Sequence, residues 1–166
     1  MQTQKKAIAD LVDIRQPIAD FLHSIGFRSR SKRLWDRKHG RAIQVVNLDK
    51  STYGPQNRIE IFFDLEDSIE LRKYKVADFS VRLTFQGLPV DADRFRDALD
   101  QETVMDAGVR ANIIREALTN YLEPIAELVR DEAGLRKLRI MLPSKNILYM
   151  SPQMHALLFE TGGVEG

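Results

Sequence analysis

An α+β fold is what this 166-residue sequence predicts: an antiparallel sheet of about four strands, with an N-terminal helix and C-terminal helices packed on one face. Three observations predict it. Two stretches in the first half alternate apolar and polar residues with a period of two, the mark of a strand with one buried face. Stretches on either side repeat their apolar residues at helical spacing. No internal repeat and no Pro/Gly/Ser-rich linker divides the chain. Domains of about 100–150 residues are common, so residues 1–166 read as one domain. Its parts are a helix over about 4–25, a sheet over about 32–86 and helices over about 91–160.

The first helix rests on the stripe Ile8, Leu11, Val12, Ile18, Phe21, Leu22 and Ile25. Pro17 lies inside it. Proline lacks an amide proton and crowds the carbonyl four residues back, so a kink there or a fresh start near Asp13 is expected. Gly26 is placed as the C-terminal stop, with Phe27 packing back. His39-Gly40 then separates strands at 32–38 and 41–50 as a two-residue hairpin turn. Over 58–65, Ile59, Ile61, Phe63 and Leu65 share the inward face, and Arg58, Glu60, Phe62 and Asp64 the other. Over 79–85, Phe79, Val81, Leu83 and Phe85 point inward against Ser80, Arg82 and Thr84. Such alternation leaves the reverse side of the sheet largely wet. Between them, 66–75 reads as a charged loop or short helix.

Beyond Gly87 the pattern turns helical. DADRFRDALDQE is one short helix with acids in its first turn, where the dipole favours them. The strongest helical pattern covers 109–130, on the stripe Val109, Ile113, Ala117, Tyr121, Ile125 and Leu128, and Pro124 bends or splits it. Residues 135–150 are compatible with helix or strand. Ser151-Pro152 opens a last helix, QMHALLFE, and the tail TGGVEG is expected to fray. The apolar run 138–159 completes the core or meets another chain.

Composition removes several chemistries. There is no cysteine, so disulfides, thiolate metal sites and thiol catalysis are excluded. Lys plus Arg is 25 against 24 for Asp plus Glu, a net charge of +1 that demands no polyanionic partner. Charges interrupt the apolar residues of the N-terminus, and no run approaches the roughly 18 apolar residues of a membrane span. The expectation is a soluble, cytoplasmic protein with no membrane partner. No P-loop, GxGxxG or GxSxG occurs, and His23, His39 and His155 form no HxH or HExxH pair. No cofactor, no resident metal and no set of catalytic residues is expected.

Two stretches carry polar side chains dense enough to bind something. The first, QVVNLDKSTYG (44–54), makes a candidate groove of Asn47, Asp49, Lys50, Ser51 and Tyr53 at a strand's end. Its plainer reading makes Ser51 and Thr52 turn formers, Tyr53 a packing ring and Gly54-Pro55 a turn. The second, RSRSKRLWDRKHGR (28–41), sets seven Lys and Arg against one acid. Arg28, Arg30, Lys32, Arg33, Arg37, Lys38 and Arg41 would grip phosphates while Trp35 stacks on a base. The plainer reading is a solvated face with Glu60 and Asp64 as cross-strand partners of those arginines. Asp36-Arg37-Lys38 also matches the D-x-K fragment of a restriction-type nuclease centre, with Glu60 or Asp64 as the second metal-binding acid.

The order of Gly26-Phe27, basic residues, and then Gln44, Val45, Val46, Asn47, Lys50, Ser51, Tyr53 and Gly54 resembles a bacterial family. It is the one catalogued as domain of unknown function four thousand three hundred and four, whose members show a glycine-phenylalanine followed by a strand close to QVVNLQKS-YG. Asp49 stands where the pattern has glutamine. The resemblance covers about residues 15–85; it implies an α+β fold and brings no established activity or catalytic residue. With it, the expected function is a non-catalytic protein-binding or accessory module of a bacterial system, immunity-like or regulatory. The alternatives are a nucleic-acid-binding protein using 28–41, and a metal-dependent hydrolase or nuclease.

Overall fold

In the computed structural model, residues 14–88 and 91–159 are described. Helix α1 runs unbroken over 14–24, through Pro17, and the Ile8–Leu11–Val12 part of its predicted stripe lies outside the described residues, as does the tail. Its end follows the sequence. Gly26 sits at φ +94°, the Gly26 N–H donates to His23 O at 3.2 Å and the Phe27 N–H to Leu22 O at 2.9 Å. That pair of bonds is a Schellman stop, with the buried Phe27 ring as its apolar contact.

Six antiparallel strands follow in simple sequential order. They are β1 Arg28–Ser31, β2 Leu34–His39, β3 Ala42–Lys50, β4 Asn57–Leu65, β5 Val81–Thr84 and β6 Ile147–Met150. The four expected strands are the four inner ones. β1 and β6 are additions: β1 (RSRS) has no apolar residue to alternate, and β6 (ILYM) is four residues inside a longer apolar run. The β2–β3 turn is Gly40-Arg41, one residue later than His39-Gly40. Gly40 takes φ +59°, and a Cβ there would lie 2.7 Å from Arg130 O, while the Arg41 N–H donates to that same carbonyl at 2.7 Å. The distant chain, rather than the local dipeptide, places the turn.

The ladder register sorts side chains into two faces. Trp35, Val46, Ile61, Leu83 and Ile147 are successive neighbours across the sheet, and this row faces the helices. With α1 and the C-terminal helices it encloses the main core, in which Ile18, Leu22, Phe63, Phe85, Phe95, Ile114 and Leu118 are buried. Asp36, Val45, Phe62, Arg82 and Tyr149 form the next row, on the reverse side.

The helical layer consists of α2 Ala92–Ala98, α3 Ala107–Ala117, α4 Glu123–Leu128, α5 Glu132–Met141 and α6 Pro152–Phe159. The long helix runs through Pro124 without a break, from Ala107 to Leu128. A π-helical turn, Leu118–Leu122, widens the backbone just before α4, relieving the crowding of the proline ring on the preceding turn. The stripe starts differently from expectation: Val109 is exposed, and Arg110 turns inward instead. Its guanidinium donates to the carbonyls of Ala98, Asp100 and Thr103 at 2.6, 3.0 and 2.6 Å, closing the loop that follows α2. Stretch 135–150 is both helix and strand, divided by Pro143 and a 3-10 turn at Ser144–Asn146. Ser151 caps α6 as expected, accepting from the Met154 N–H at 3.1 Å.

The reverse side is not simply wet. Ile43, Val45, Phe62, Tyr74 and Phe79 make a second, smaller core, closed by residues 66–79 lying across the sheet. Phe79 therefore belongs to this face, ahead of β5, and not to the inward row with Val81, Leu83 and Phe85.

Candidate binding cleft

Residues 66–79 form a strap over half of the reverse face, and its anchors are polar. The Tyr74 hydroxyl donates to Asp36 Oδ2 at 2.7 Å, and Arg72 Nη2 lies 3.2 Å from Asp36 Oδ1, which has that ion pair and no well-aligned hydrogen bond. The Arg30 guanidinium stacks 4.3 Å over the Tyr74 ring and donates to Tyr74 O at 3.1 Å. At the strap's start, Glu66 pairs with Lys38 and Arg41, and Asp67 with Arg41. At its end, Asp64 Oδ2 accepts from the Ser80 N–H at 3.0 Å and the Ser80 hydroxyl at 2.8 Å. Burial pushes the Tyr74 phenol well above its usual range, and the bond to Asp36 adds to the effect.

Where the strap stops, a cleft of about 530 Å³ remains. Asn47 and Asp49 of β3, Glu60 and Phe62 of β4, and Arg82 of β5 make its floor. Val76, Ala77 and Phe79 of the strap form one wall, Leu148 and Tyr149 of β6 the other. The floor charges are held by one another. Arg82 grips Glu60 with two bonds, Nη2 to Oε1 at 2.6 Å and Nε to Oε2 at 3.1 Å. Arg58 Nη2 reaches the same Glu60 Oε1 at 3.3 Å and Asp49 Oδ2 at 2.8 Å. Asp49 and Arg58 stand directly opposite in the ladder, while Arg82 reaches Glu60 on the diagonal from opposite Phe62. The bond to Asp49 is the main reason that the Arg58 guanidinium holds its proton above the usual range. Glu60 is only 1% exposed, whereas Arg58 and Arg82 remain 49% and 39% exposed. The negative charge is beneath and the guanidinia are on top.

The β6 wall depends on a bulge. Arg82 faces Tyr149 but Leu83 faces Ile147, so Leu148 is an extra residue in the edge strand. In a regular strand Leu148 and Tyr149 would point to opposite faces; with the bulge both line the cleft, 43% and 48% exposed.

Of the expected groove, Asn47 and Asp49 lie in this cleft and the others do not. Lys50 is exposed past it, and Ser51 closes the β3–β4 loop, its N–H donating to Gln56 O at 2.8 Å and its hydroxyl accepting from the Tyr53 N–H at 3.2 Å. Tyr53 is no packing ring: it is 99% exposed. Glu60, Phe62, Arg82, Leu148 and Tyr149 were not singled out as groove residues by sequence. Apolar Phe62 on the polar side of an alternating strand, with Ile43 and Val45 on the same face of β3, is a local sign that this face is covered or used.

The basic segment is dispersed. Trp35 is fully buried in the main core, so its ring is not available to stack on a base. Arg37 points to the same side, with Nε on Gln44 Oε1 at 2.8 Å, Nη1 on Ile25 O at 2.5 Å and Nη2 on Ala126 O at 3.2 Å; burial lowers its proton affinity. Arg33 sits in the β1–β2 turn, bonded to Leu48 O at 2.9 Å and Asn57 Oδ1 at 3.2 Å. Lys38, Arg41 and Arg30 anchor the strap, which leaves Arg28 and Lys32 exposed. The expected partners also differ: Glu60 pairs with Arg58 and Arg82, and Asp64 with Ser80, not with arginines of 28–41. The D-x-K geometry is not formed either. Asp36 is on β2 and Glu60 and Asp64 on β4, about 9–10 Å apart across β3, and none of the three shares a ladder row. Among the described residues no group of three His, Asp or Glu side chains is placed to hold a metal ion. No helix among them is long and apolar enough to cross a membrane.

Fold and cleft together define an α+β sheet domain with helices on one face and a half-strapped, partly open cleft on the other. No family model, curated protein or solved structure matches the chain.

Proposed function

We propose that the chain is a non-catalytic binding module that holds a segment of another protein in the reverse-face cleft, as an immunity-like or regulatory accessory of a bacterial system. The assignment to the family of unknown function named above is part of the same proposal. One observation carries it: half-exposed apolar side chains, Leu148 and Tyr149, stand beside charges already matched to one another. Apolar surface gains by leaving water, which suits association. Acid–base chemistry at this site would begin by breaking the Glu60–Arg82 fork, which is an unfavourable start for a general acid or base. The cleft volume lies in the range of sites that take a small ligand or a few side chains, about 300–1,000 Å³.

The test places a photo-crosslinking residue at Tyr149 and, as a control, at Ile140, which is also exposed but on the helical layer. In lysate of the native cell, a discrete protein adduct forms from position 149 and not from 140. Adducts that are the same at both positions, or that a nuclease removes, overturn the reading.

A further inference from the structure

The two edges of the sheet are unlike. β1 carries Arg28 and Arg30 and is exposed at every residue, and charge on an edge strand discourages another strand from joining it. β6, at the opposite edge, reads Ile-Leu-Tyr-Met and has no charge. The Ile147 N–H closes the preceding turn on Ser144 O. Beyond that and the ladder to β5, no hydrogen bond reaches the backbone of Ile147–Met150 among the described residues. An uncharged edge with open backbone groups forms one rim of the cleft.

Resting on the binding reading above, we infer that the partner enters as an extended segment that pairs with β6 as a seventh strand and lays its inward side chains along the cleft. Strand addition of this kind takes its affinity from main-chain bonds and its specificity from alternate side chains. The register shows where those side chains go. The row Asp36, Val45, Phe62, Arg82, Tyr149 runs straight to the β6 edge, so a residue opposite Tyr149 extends it by one strand spacing, about 4.8 Å. The bulge offers that residue both Leu148 and Tyr149, which favours an aliphatic or aromatic side chain. Charge selects its neighbour. Asp49, Glu60, Arg58 and Arg82 match one another, whereas the exposed Lys145, in no ion pair among the described residues, stands just ahead of β6. The side chain two positions along on the same face is therefore acidic. The occupant is a partner segment with an apolar and an acidic residue alternating on one face.

A random peptide library displayed on phage, selected against the full chain, tests this without knowing the partner. Selected peptides are expected to share the apolar-x-acidic spacing and to slow hydrogen exchange at the amides of β6. Tyr149→Lys, an exposed substitution, weakens them by at least about tenfold, as loss of an aromatic anchor does. Lys145→Glu weakens them as well, while Arg28→Ala on the other edge does not. Peptides that need Tyr149 but leave β6 exchange unchanged overturn strand addition and leave cleft binding standing. If no Tyr149-dependent peptide is selected, the strand and the cleft reading fall together. Protection of β6 that rises with protein concentration and no peptide makes the occupant a second copy of this chain, and also overturns the inference.

Discussion

Tyr74→Phe removes one oxygen from the strap, and its effect should depend on pH in a direction that the structure dictates. At neutral pH the hydroxyl donates to the buried Asp36 carboxylate at 2.7 Å. Without it Asp36 retains the ion pair with Arg72. A hydrogen bond to a charged group contributes about 1.5–3 kcal/mol, so the variant should lose about 2 kcal/mol of unfolding free energy. Raising the pH should narrow that gap. Burial and Asp36 hold the folded phenol protonated, with Arg30 and Arg72 the other charged groups facing it. The unfolded phenol ionises near its ordinary value of about 10. A group whose folded pKa is raised contributes stability that is complete below the unfolded value and declines above it. By about pH 11 the wild type forfeits about 1.4 kcal/mol through this residue, and the phenylalanine variant forfeits nothing there. The other three tyrosines are common to both proteins and drop out of the difference. Urea unfolding of the pair at about pH 8 and about pH 11 measures the two differences, with the slopes compared to confirm the same transition. A gap that is constant or wider at the higher pH refutes the buried, carboxylate-bound phenol as the strap's anchor.

Two further substitutions test how the helices are held. Gln44→Leu strips the donors from Ala126 O and Val129 O, each at 2.7 Å, and the acceptor from Arg37 Nε. Several buried groups are then left short of partners, and urea unfolding should show a loss of about 2–5 kcal/mol; a loss under about 1 kcal/mol is the contrary result. Trp35→Ala opens a hole in the main core and should cost about 3–5 kcal/mol by the same measurement, whereas a nucleic-acid-stacking tryptophan at the surface would be replaced at little cost in stability.

β4 was readable from residues because its alternation is local. Ile59, Ile61, Phe63 and Leu65 fall on one side of any strand drawn through 58–65, whatever packs there, and the structure buries all four. The Gly26 stop and the disturbed helix just ahead of Pro124 were readable for the same reason: each is a property of one residue's backbone. β1 and β6 were not, since a polar edge strand and a four-residue apolar strand have no period of their own and exist only because β2 and β5 offer them partners. The cleft was half readable. Asn47 and Asp49 announced themselves by chemistry, but Arg82, Leu148 and Tyr149 reach it through cross-strand register and a bulge, which bring residue 149 opposite residue 82.

By itself the sequence determined the fold class, the inward residues of β4 and the stop of the first helix at Gly26, because each follows from sterics and hydrophobic period within a few residues. Only the tertiary structure decided that Trp35 and Arg37 turn inward, that 66–79 covers half the reverse face and that β6 forms an uncharged edge beside the cleft. These depend on which distant groups satisfy a buried charge or an open backbone, and a one-dimensional pattern contains no such distances.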